Sequence, residues 1–239
     1  AMPSNPELAA SVSVIVPAFN EAATIAAIVH GCRDVLPPPA ELLVVDDGST
    51  DATAAAAEAA GARVIRLTPN RGKGNALRIG IEQSVGEILV FLDADGQDDP
   101  HEIPLLLAAL ARGADLVVGS RFLGHFDAGA ITPINRVGNQ AITGVVNLLF
   151  GVKLTDTQAG FRAVRRSLIE RLTLAAQHYD IETDLLLQAM RVGGRAVEVP
   201  VRRAARQHGA SGLNPIIDGL RILSRILRVR FQPAIGRAQ

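Results

Sequence analysis

The stretch Phe91-Leu92-Asp93-Ala94-Asp95-Gly96-Gln97 places two carboxylates and an amide on alternate residues, directly after an apolar run. The run Ile88 to Leu92 predicts a buried strand, so Asp93 and the residues after it emerge at its carboxyl end, where open parallel sheets bind ligands. Asp95 and Gln97 carry the hard oxygen atoms that Mg²⁺ or Mn²⁺ prefers, which leaves Asp93 for a ribose hydroxyl. The alternative is a strand end followed by an acidic turn, because Asp and Gly are ordinary loop residues.

Two other predicted strands end in a similar way. Val12 to Ala18 runs into a turn at Asn20-Glu21 before an alanine-rich helix, and Leu42 to Val45 delivers Asp46 and Asp47 to a turn. Helix capping is an alternative interpretation of Asn20 and Glu21. The adjacent carboxylates of Asp46 and Asp47 are too costly in charge to serve only as turn residues.

A glycine-flanked cation opens the third predicted helix. Lys73 stands between Gly72 and Gly74 in the segment Asn70 to Ala76. The backbone amides of such a helix start, together with the lysine, suit a phosphate group or the edge of a base. We therefore expect these segments to converge on one crevice that binds a nucleotide and a metal ion.

The remaining pattern predicts an α/β fold. Strands are predicted near residues 12–18, 41–46, 62–67, 87–92, 114–119 and 195–200, and helices near 22–35, 51–60, 73–84, 101–112, 134–150, 165–175, 182–193 and 215–230. This alternation favours a Rossmann-like, mostly parallel sheet with helices on both faces. We expect an N-terminal tail over 1–11, one domain over 12–213, and an amphipathic helix with a tail over 214–239.

Composition narrows the possible partners and compartment. The chain has 24 basic and 24 acidic residues, so its net charge gives no electrostatic reason to expect nucleic acid binding. Cys32 is the only cysteine and is predicted to be a small core residue, which fits a reducing compartment. The first residues lack the charged and apolar pattern of a secretory signal, so we expect a cytoplasmic protein.

These segments, in this order and with these spacings, resemble the glycosyltransferase family 2 domain, which has the GT-A fold. Within that family the chain is most similar to the dolichol-phosphate and polyprenol-phosphate mannosyltransferases and their glucosyl relatives. The resemblance continues through Asp115 to Arg121, Thr155 to Arg162 and Val199 to Val201. It implies an inverting, metal-dependent transfer of a hexose from a sugar nucleotide, with GDP-mannose favoured and UDP-glucose next, to a polyprenyl or dolichyl phosphate.

The resemblance also implies roles for individual residues. It assigns Mg²⁺ or Mn²⁺ to Asp95 and Gln97, and it assigns the acceptor phosphate to three arginines, which with Asp95 form the expected catalytic set: Arg121, Arg136 and Arg206. It assigns the nucleotide to Pro17, Asn20, Glu21, Asp47, Lys73 and Asp93. Ser211 follows Arg206 in the matching motif, but Gly212 stands where lipid-linked relatives often have a lysine.

The nature of the acceptor decides whether a general base is needed. A phosphate monoester has a second pKa of about 6, so it is mostly dianionic at neutral pH and needs no base. A soluble or glycan hydroxyl needs a carboxylate base, and Asp156 stands near the position where relatives that glycosylate hydroxyls carry one. Asp156 is otherwise a turn cap or the partner of Arg162, and Glu182 is a helix-terminal charge or the partner of an active-site arginine. A non-catalytic sugar-nucleotide-binding protein is disfavoured, because it has no use for a metal site.

The last predicted helix has an apolar face and a basic face. A helical wheel places Ile216, Leu220, Leu223, Ile226 and Leu227 together, opposite Arg221, Arg225 and Arg228. Such a helix either covers a core or lies on anionic lipid. Because a polyprenyl phosphate lies in the bilayer, the inner membrane surface is a further expected partner, and Ile134 to Phe150 offers a second apolar contact.

Overall fold

The computed structural model describes residues 12–209 and 215–232, which form an α/β fold. The strands are β1 (Val12–Ala18), β2 (Glu41–Asp46), β3 (Arg63–Arg66), β4 (Ile88–Phe91), β5 (Leu116–Phe126), β6 (Arg162–Arg165) and β7 (Ala196–Arg203). The helices are α1 (Ile25–Val35), α2 (Thr53–Ala59), α3 (Lys73–Gln83), α4 (Ile103–Ala111), α5 (Pro133–Phe150), α6 (Arg166–Ile169), α7 (Ile181–Arg191) and α8 (Pro215–Phe231). The predicted tail over 1–11 and the last residues of the chain, 233–239, lie outside the described residues.

The strands form one sheet in the order β3-β2-β1-β4-β6-β5-β7. Strand β1 runs parallel to β2 and β4, with Ala18 opposite Asp46 and Ile15 opposite Phe91. Strand β6 is antiparallel to both of its neighbours, β4 and β5, whereas β5 and β7 are parallel. The predicted mostly parallel sheet is confirmed, and its register brings the carboxyl ends of β1, β2 and β4 to the same edge.

Three elements differ from the sequence prediction. The helix predicted over 165–175 is wrong in extent, because only Arg166–Ile169 is helical. The residues just before it form β6, a strand that was not predicted. Strand β5 continues to Phe126, well beyond the predicted end at residue 119. The differences in the strands arise from pairing, since β6 inserts between β4 and β5, and the end of β5 pairs again with β7 after a register shift.

Apolar side chains cover both faces of the sheet. One face packs against helices α1 and α4, and the largest contributions come from Ile25, Val29, Ile103 and Leu106. The other face packs against α3, α6 and α7 through Leu77, Leu168, Ile181 and Leu185. Cys32 is buried in the first of these layers, as predicted. Burial on both faces makes the sheet a rigid support for the loops at its edge.

Helix α8 packs on α5 and α7 in a different orientation from the one that its sequence pattern indicated. Its buried apolar residues are Ile222, Ile226 and Val229, which pack in one cluster with Val146 and Leu187. The predicted apolar face is therefore split, because Leu220, Leu223 and Leu227 are exposed, whereas Arg225 turns inward to Asp180 at 3.3 Å. Within the described residues, no helix has the length and apolar character needed to cross a membrane.

Candidate functional site

The carboxyl ends of β1, β2 and β4 open into a cavity of about 700 Å³. Its lining includes most of the residues that the sequence singled out, namely Pro17, Asn20, Glu21, Asp47, Lys73, Asp93, Asp95, Gln97, Arg121, Glu182 and Arg206. Arg136, Asp156 and Arg162 are not among its lining residues. Ser211 and the neighbouring Gly212 lie outside the described residues. The predicted convergence of the strand ends on one crevice therefore holds for the described part of the chain.

At one end of the cavity, Asp47 organises the loop that precedes α3. Its two carboxylate oxygens accept hydrogen bonds from the backbone N–H groups of Arg71, at 3.0 Å, and Gly72, at 2.7 Å. Gly72 has a φ of +93°, and a Cβ at this position would lie 2.5 Å from Nδ1 of His178. Only glycine fits both the backbone conformation and the space, so this residue fixes the path of the loop into Lys73.

The turn after β1 is fastened to the turn after β2. The backbone N–H of Asn20 donates to Oγ of Ser49 at 2.9 Å, and Oδ1 of Asn20 accepts from the backbone N–H of Thr50 at 2.8 Å. Asn20 has a φ of 55°, a region that asparagine tolerates better than most residues. Glu21 extends from this turn and accepts a hydrogen bond from Arg206 at 3.0 Å. The two turns thus form one wall of the cavity.

Lys73 lies between two carboxylates in the cavity. Its Nζ is 2.7 Å from Oδ1 of Asp93 and 2.6 Å from Oε1 of Glu182. Burial alone would lower the pKa of Lys73, but the two carboxylates outweigh burial and raise it. Burial likewise opposes ionisation of Asp93, yet Lys73 and Arg203 hold the pKa of Asp93 below its usual value. The sequence predicts that Asp93 binds a ribose hydroxyl and, as one alternative, that Glu182 pairs with an arginine. In the structure both carboxylates pair with Lys73.

The backbone of Gly160 lies directly against the carboxylate of Asp93. A Cβ on Gly160 would be 2.9 Å from Oδ2 and 3.0 Å from Oδ1 of Asp93. Any larger side chain would have to displace this carboxylate from its ion pair with Lys73. The absence of a side chain on Gly160 therefore leaves room for the Asp93 carboxylate, and Gly160 also lines the cavity.

Asp95 and Gln97 point their side-chain oxygens at the same guanidinium. Nη2 of Arg203 is 3.0 Å from Oε1 of Gln97 and 3.4 Å from Oδ2 of Asp95. The same Oδ2 accepts from Nη2 of Arg206 at 2.8 Å. Nη1 of Arg203 is 2.7 Å from Oδ1 of Asp98, a buried carboxylate whose pKa is raised by burial against the opposing effect of Arg203.

These two oxygens fit a divalent cation with an incomplete protein shell. They converge on one cationic nitrogen in the structure, and a carboxylate and an amide are hard ligands of the kind that Mg²⁺ and Mn²⁺ prefer. Among the described residues, no group of three or more His, Cys, Asp or Glu side chains is arranged to hold a metal ion. A cation held by Asp95 and Gln97 would therefore keep most of its positions for water and phosphate oxygens.

Arg121 reaches the cavity from β5 and is held by a fully buried carboxylate. Its Nε and Nη2 donate to Oδ2 and Oδ1 of Asp156 at 2.6 and 2.8 Å, and its backbone N–H donates to Oδ2 at 3.1 Å. Glu198 of β7 in turn accepts from the backbone N–H groups of Thr155 and Asp156. In the part of the chain that the structure describes, Nη1 of Arg121 has no hydrogen-bond partner. Asp156 thus orients a cation at the cavity wall and is itself shielded from the cavity.

Two predicted arginines have other surroundings. Arg162 is fully buried and donates to three backbone carbonyls, those of Ala159, Thr157 and Glu182. The predicted pairing of Asp156 with Arg162 is therefore wrong, since Asp156 pairs with Arg121. Burial lowers the pKa of Arg162 to about 10. Arg136 lies on the exposed side of α5, with its guanidinium 5.5 Å from the ring centre of Phe126. The structure does not bring Arg136 into the cavity with the other two arginines.

Several lining residues were missed from the sequence. Arg203 was missed, although the alternation of Val199, Val201 and Arg203 on β7 already pointed it to the buried side of the strand. His178 and Tyr179 line the cavity beside Lys73, with the ring centre of Tyr179 6.0 Å from Nζ of the lysine. No sequence pattern identified these two, because they precede α7 in an irregular segment.

Helices α5 and α8 contribute both apolar and polar side chains to the cavity. Ile134, Ile142 and Ile222 line it together with Asn135, Asn139 and Asp218. Helix α5 begins at Pro133, and the side chain of Thr132 accepts from the backbone N–H of Asn135 as its cap. One cavity thus combines acidic, basic and apolar side chains.

Comparisons with known proteins identify the family of this chain. The model for glycosyl transferase family 2 matches residues 13–173. Glycosyltransferase AglJ of Haloferax volcanii is 35% identical over 211 residues, which cover 87% of this chain and 68% of the relative. The undecaprenyl-phosphate mannosyltransferase of Micrococcus luteus is 33% identical over 220 residues, covering 87% and 89% of the two chains.

A solved structure agrees with these relatives. Glucosyl-3-phosphoglycerate synthase of Mycobacterium tuberculosis, in complex with Mn²⁺, UDP and glucosyl-3-phosphoglycerate, superposes with a TM-score of 0.75 and 26% identity. The superposition covers 99% of this chain and 88% of that chain. The sheet, its helices and the cavity at the strand ends are therefore those of a GT-A enzyme. This chain belongs to glycosyl transferase family 2 and is a glycosyltransferase.

Proposed function

We propose that this glycosyltransferase moves a hexose from a sugar nucleotide to a polyprenyl phosphate, with inversion at the anomeric carbon. GDP-mannose is the favoured donor and UDP-glucose the next. The name of the Micrococcus luteus relative supports a polyprenyl phosphate acceptor and mannose, whereas the bound UDP of the Mycobacterium tuberculosis enzyme supports a uridine nucleotide. The proposal assigns Asp95 and Gln97 to Mg²⁺ or Mn²⁺.

The observation that carries the proposal is the composition of the cavity at the strand ends. Its lining includes Asp47, Lys73 and Asp95, and helices α5 and α8 add Ile134, Ile142 and Ile222 beside the polar Asn135, Asn139 and Asp218. Arg121 and Arg206 lie in the same lining. A nucleotide with a charged diphosphate suits a lining with a cation and metal-ligating carboxylates, and a lipid with a phosphate headgroup suits arginines in a lining that also has apolar side chains.

The residues present can support the transfer without a general base. A divalent ion held by Asp95 and Gln97 would supply positive charge to the leaving diphosphate. Arg121 and Arg206 orient the acceptor phosphate, which is mostly dianionic near neutral pH because its second pKa is about 6. Asp93 and Glu182, held by Lys73, are the hydrogen-bond acceptors available to hydroxyl groups of the nucleotide and the hexose. Asp156 is engaged with Arg121 through both oxygens, which argues against its use as a base for a hydroxyl acceptor.

The same proposal includes a membrane-facing side, at the inner face of the membrane. Helix α8 exposes Leu220, Leu223 and Leu227, and helix α5, which also lines the cavity, exposes Ile134 and Val137. Basic side chains flank this apolar stripe, notably Arg221, Arg228 and Arg230 of α8. Anionic lipid would contact both kinds of side chain, so the acceptor would enter from the side on which it resides.

The decisive test is a transfer assay with labelled GDP-mannose and labelled UDP-glucose, each against a short polyprenyl phosphate and against the free polyprenol. We expect product only with the phosphate, only with Mg²⁺ or Mn²⁺ present, and more with GDP-mannose. Asp95→Ala should abolish transfer, whereas Asp99→Asn, a nearby exposed carboxylate outside the cavity lining, should not. Full activity of Asp95→Ala, or of the wild type in excess chelator, would refute the metal assignment.

A sedimentation assay tests the membrane-facing side separately. We expect Leu223→Glu and Leu227→Glu to reduce binding to vesicles that contain phosphatidylglycerol, because each places a charge on the exposed stripe. Val85→Glu is the matched control, since Val85 is also exposed but lies between α3 and β4. Equal vesicle binding by all three variants would refute this part of the proposal.

A further inference from the structure

A guanidinium already occupies the two oxygens assigned to the metal. Arg203 shares its Nη2 between Oε1 of Gln97, at 3.0 Å, and Oδ2 of Asp95, at 3.4 Å. Its side chain is only 11% exposed, so this contact is shielded from water. A divalent ion bound by the same oxygens would be repelled by Arg203, and it would remove two acceptors from a buried cation.

Asp98 is the third partner of Arg203, and one of its carboxylate oxygens can still accept hydrogen bonds. Its Oδ1 is 2.7 Å from Nη1 of Arg203, whereas its Oδ2 is buried and has no hydrogen-bond partner among the described residues. A carboxylate offers about four acceptor positions in total, and a guanidinium fits it with two parallel bonds. Asp98 can therefore retain the guanidinium when Asp95 and Gln97 are engaged elsewhere.

Backbone contacts already attach the loop after β4 to the end of β7. The backbone N–H of Ala204 donates to the carbonyl of Gln97 at 2.8 Å, and Asp98 and Arg203 form an antiparallel bridge. The loop after β4 is thus attached to the end of β7 without the guanidinium. The side chain of Arg203 adds charge at the ligand oxygens.

We propose that Arg203 is a positioning residue that offsets the charge of Asp95 and donates a hydrogen bond to the amide oxygen of Gln97 until a divalent ion binds both oxygens, and that Asp98 then retains its guanidinium. The inference rests on the proposed metal site. It follows that the affinity for the ion depends on how Arg203 is shared: its contacts with Asp95 and Gln97 oppose metal binding, and its contact with Asp98 favours it. Asp98 would act on the ion only through Arg203.

The test is a double-mutant cycle measured by titration of Mn²⁺ alone into the full chain, with free Mn²⁺ followed by electron paramagnetic resonance. We expect Asp98→Asn to weaken Mn²⁺ binding by about tenfold, the scale for loss of a partner behind a metal ligand. Arg203→Met should strengthen binding. In the Arg203→Met background, Asp98→Asn should change the affinity by less than about twofold, because the cation through which it acts is gone.

A simple charge effect predicts a different result. If Asp98 attracts the ion directly, Asp98→Asn will weaken binding as much in the Arg203→Met background as in the wild type, and that outcome overturns the inference. Arg202→Gln is the matched control, since Arg202 is exposed and pairs with Asp127 away from the cavity. Thermal unfolding without metal checks that each variant is folded at the temperature of the titration.

The same titration separates this inference from the proposed metal site. Binding by the wild type and none by Asp95→Ala supports the site, whatever the cycle gives. If the wild type binds no Mn²⁺, both the metal site and the role of Arg203 are refuted. If the wild type binds and the cycle shows equal effects in both backgrounds, the site stands and only the role of Arg203 is refuted.

Discussion

Asp156→Asn separates a positioning carboxylate from a catalytic base. The Asp156 side chain is fully buried and the Arg121 side chain is 11% exposed, so their ion pair is largely shielded from water. The asparagine keeps the shape of the side chain, but it removes the charge and turns an N–H group toward the guanidinium. Removal of one partner of a buried pair costs about 3–5 kcal/mol. Because Arg121 retains some exposure, we expect the lower end, about 3 kcal/mol in the free energy of unfolding.

Thermal unfolding and steady-state kinetics measure the two consequences. A loss of about 3 kcal/mol corresponds to a fall of roughly 6–12 °C in the melting temperature of a chain of this size. At a temperature where the variant is folded, the KM for the polyprenyl phosphate should rise, because Arg121 is no longer held. The kcat at saturating acceptor should stay within about tenfold of the wild type, whereas loss of a general base typically costs about 10²–10⁴-fold.

Asp127→Asn is the control, because Asp127 pairs with Arg202 at the surface, where solvent screening leaves an ion pair with little effect on stability. It should change the melting temperature by only a few degrees and leave the kinetics unaltered. A kcat loss greater than a hundredfold in Asp156→Asn, with an unchanged acceptor KM, would contradict the positioning role. It would support a hydroxyl acceptor with Asp156 as its base.

Three further outcomes are expected. Arg206→Ala should raise the KM for the acceptor with little change in nucleotide affinity. Arg206→Lys should restore only part of the acceptor KM, because lysine lacks the planar fork of a guanidinium. Acceptor kinetics measure the KM, and calorimetry with GDP and UDP measures the nucleotide affinity. Gly160→Ala places a Cβ about 2.9 Å from the Asp93 carboxylate and should weaken nucleotide binding measured by the same calorimetry, as Gly129→Ala, an open surface position, should not. Burial raises the pKa of Cys32 to about 12, so the unfolded chain loses its thiol proton first as pH rises above about 8.5. The stability contributed by the protonated thiol should therefore fall between those pH values, and denaturant titrations should show a shallower decline for Cys32→Ala.

The strand ends that form the site could be predicted from the sequence, because residues close together in the chain determine them. Continuous apolar runs predicted β1, β2 and β4 close to their observed bounds, and the acidic residues directly after the runs had to emerge at one edge of a parallel sheet. Strand β6 was not accessible in this way. Its buried apolar residues are only Ala163 and Val164, and its position between β4 and β5 depends on partners distant in the chain.

Charge pairing was the least predictable feature, since it is decided by tertiary contacts. Arg121 and Asp156 are 35 residues apart in sequence, and no spacing rule connects them. The predicted orientation of α8 was wrong for a related reason. Its sequence contains two apolar stripes, and only packing on α5 and α7 determines that the stripe with Ile222, Ile226 and Val229 is buried. By contrast, the period-two alternation of β7 was sufficient to indicate that Arg203 faces inward.

The arginines of the cavity are all paired with carboxylates of the protein, so a phosphate does not meet a guanidinium without partners. Arg121 is paired with Asp156, Arg203 with Asp98, and Arg206 with Glu21 and Asp95. A diphosphate or acceptor phosphate therefore either exchanges with a carboxylate or uses the remaining N–H groups of a guanidinium that is already oriented. Arg121 offers the second route through its unengaged Nη1, whereas Arg206 offers the first, because it bridges Asp95 and the turn after β1. On the proposed assignment, capture of a divalent ion by Asp95 would release one bond of Arg206, which would couple nucleotide binding to acceptor binding through that single carboxylate.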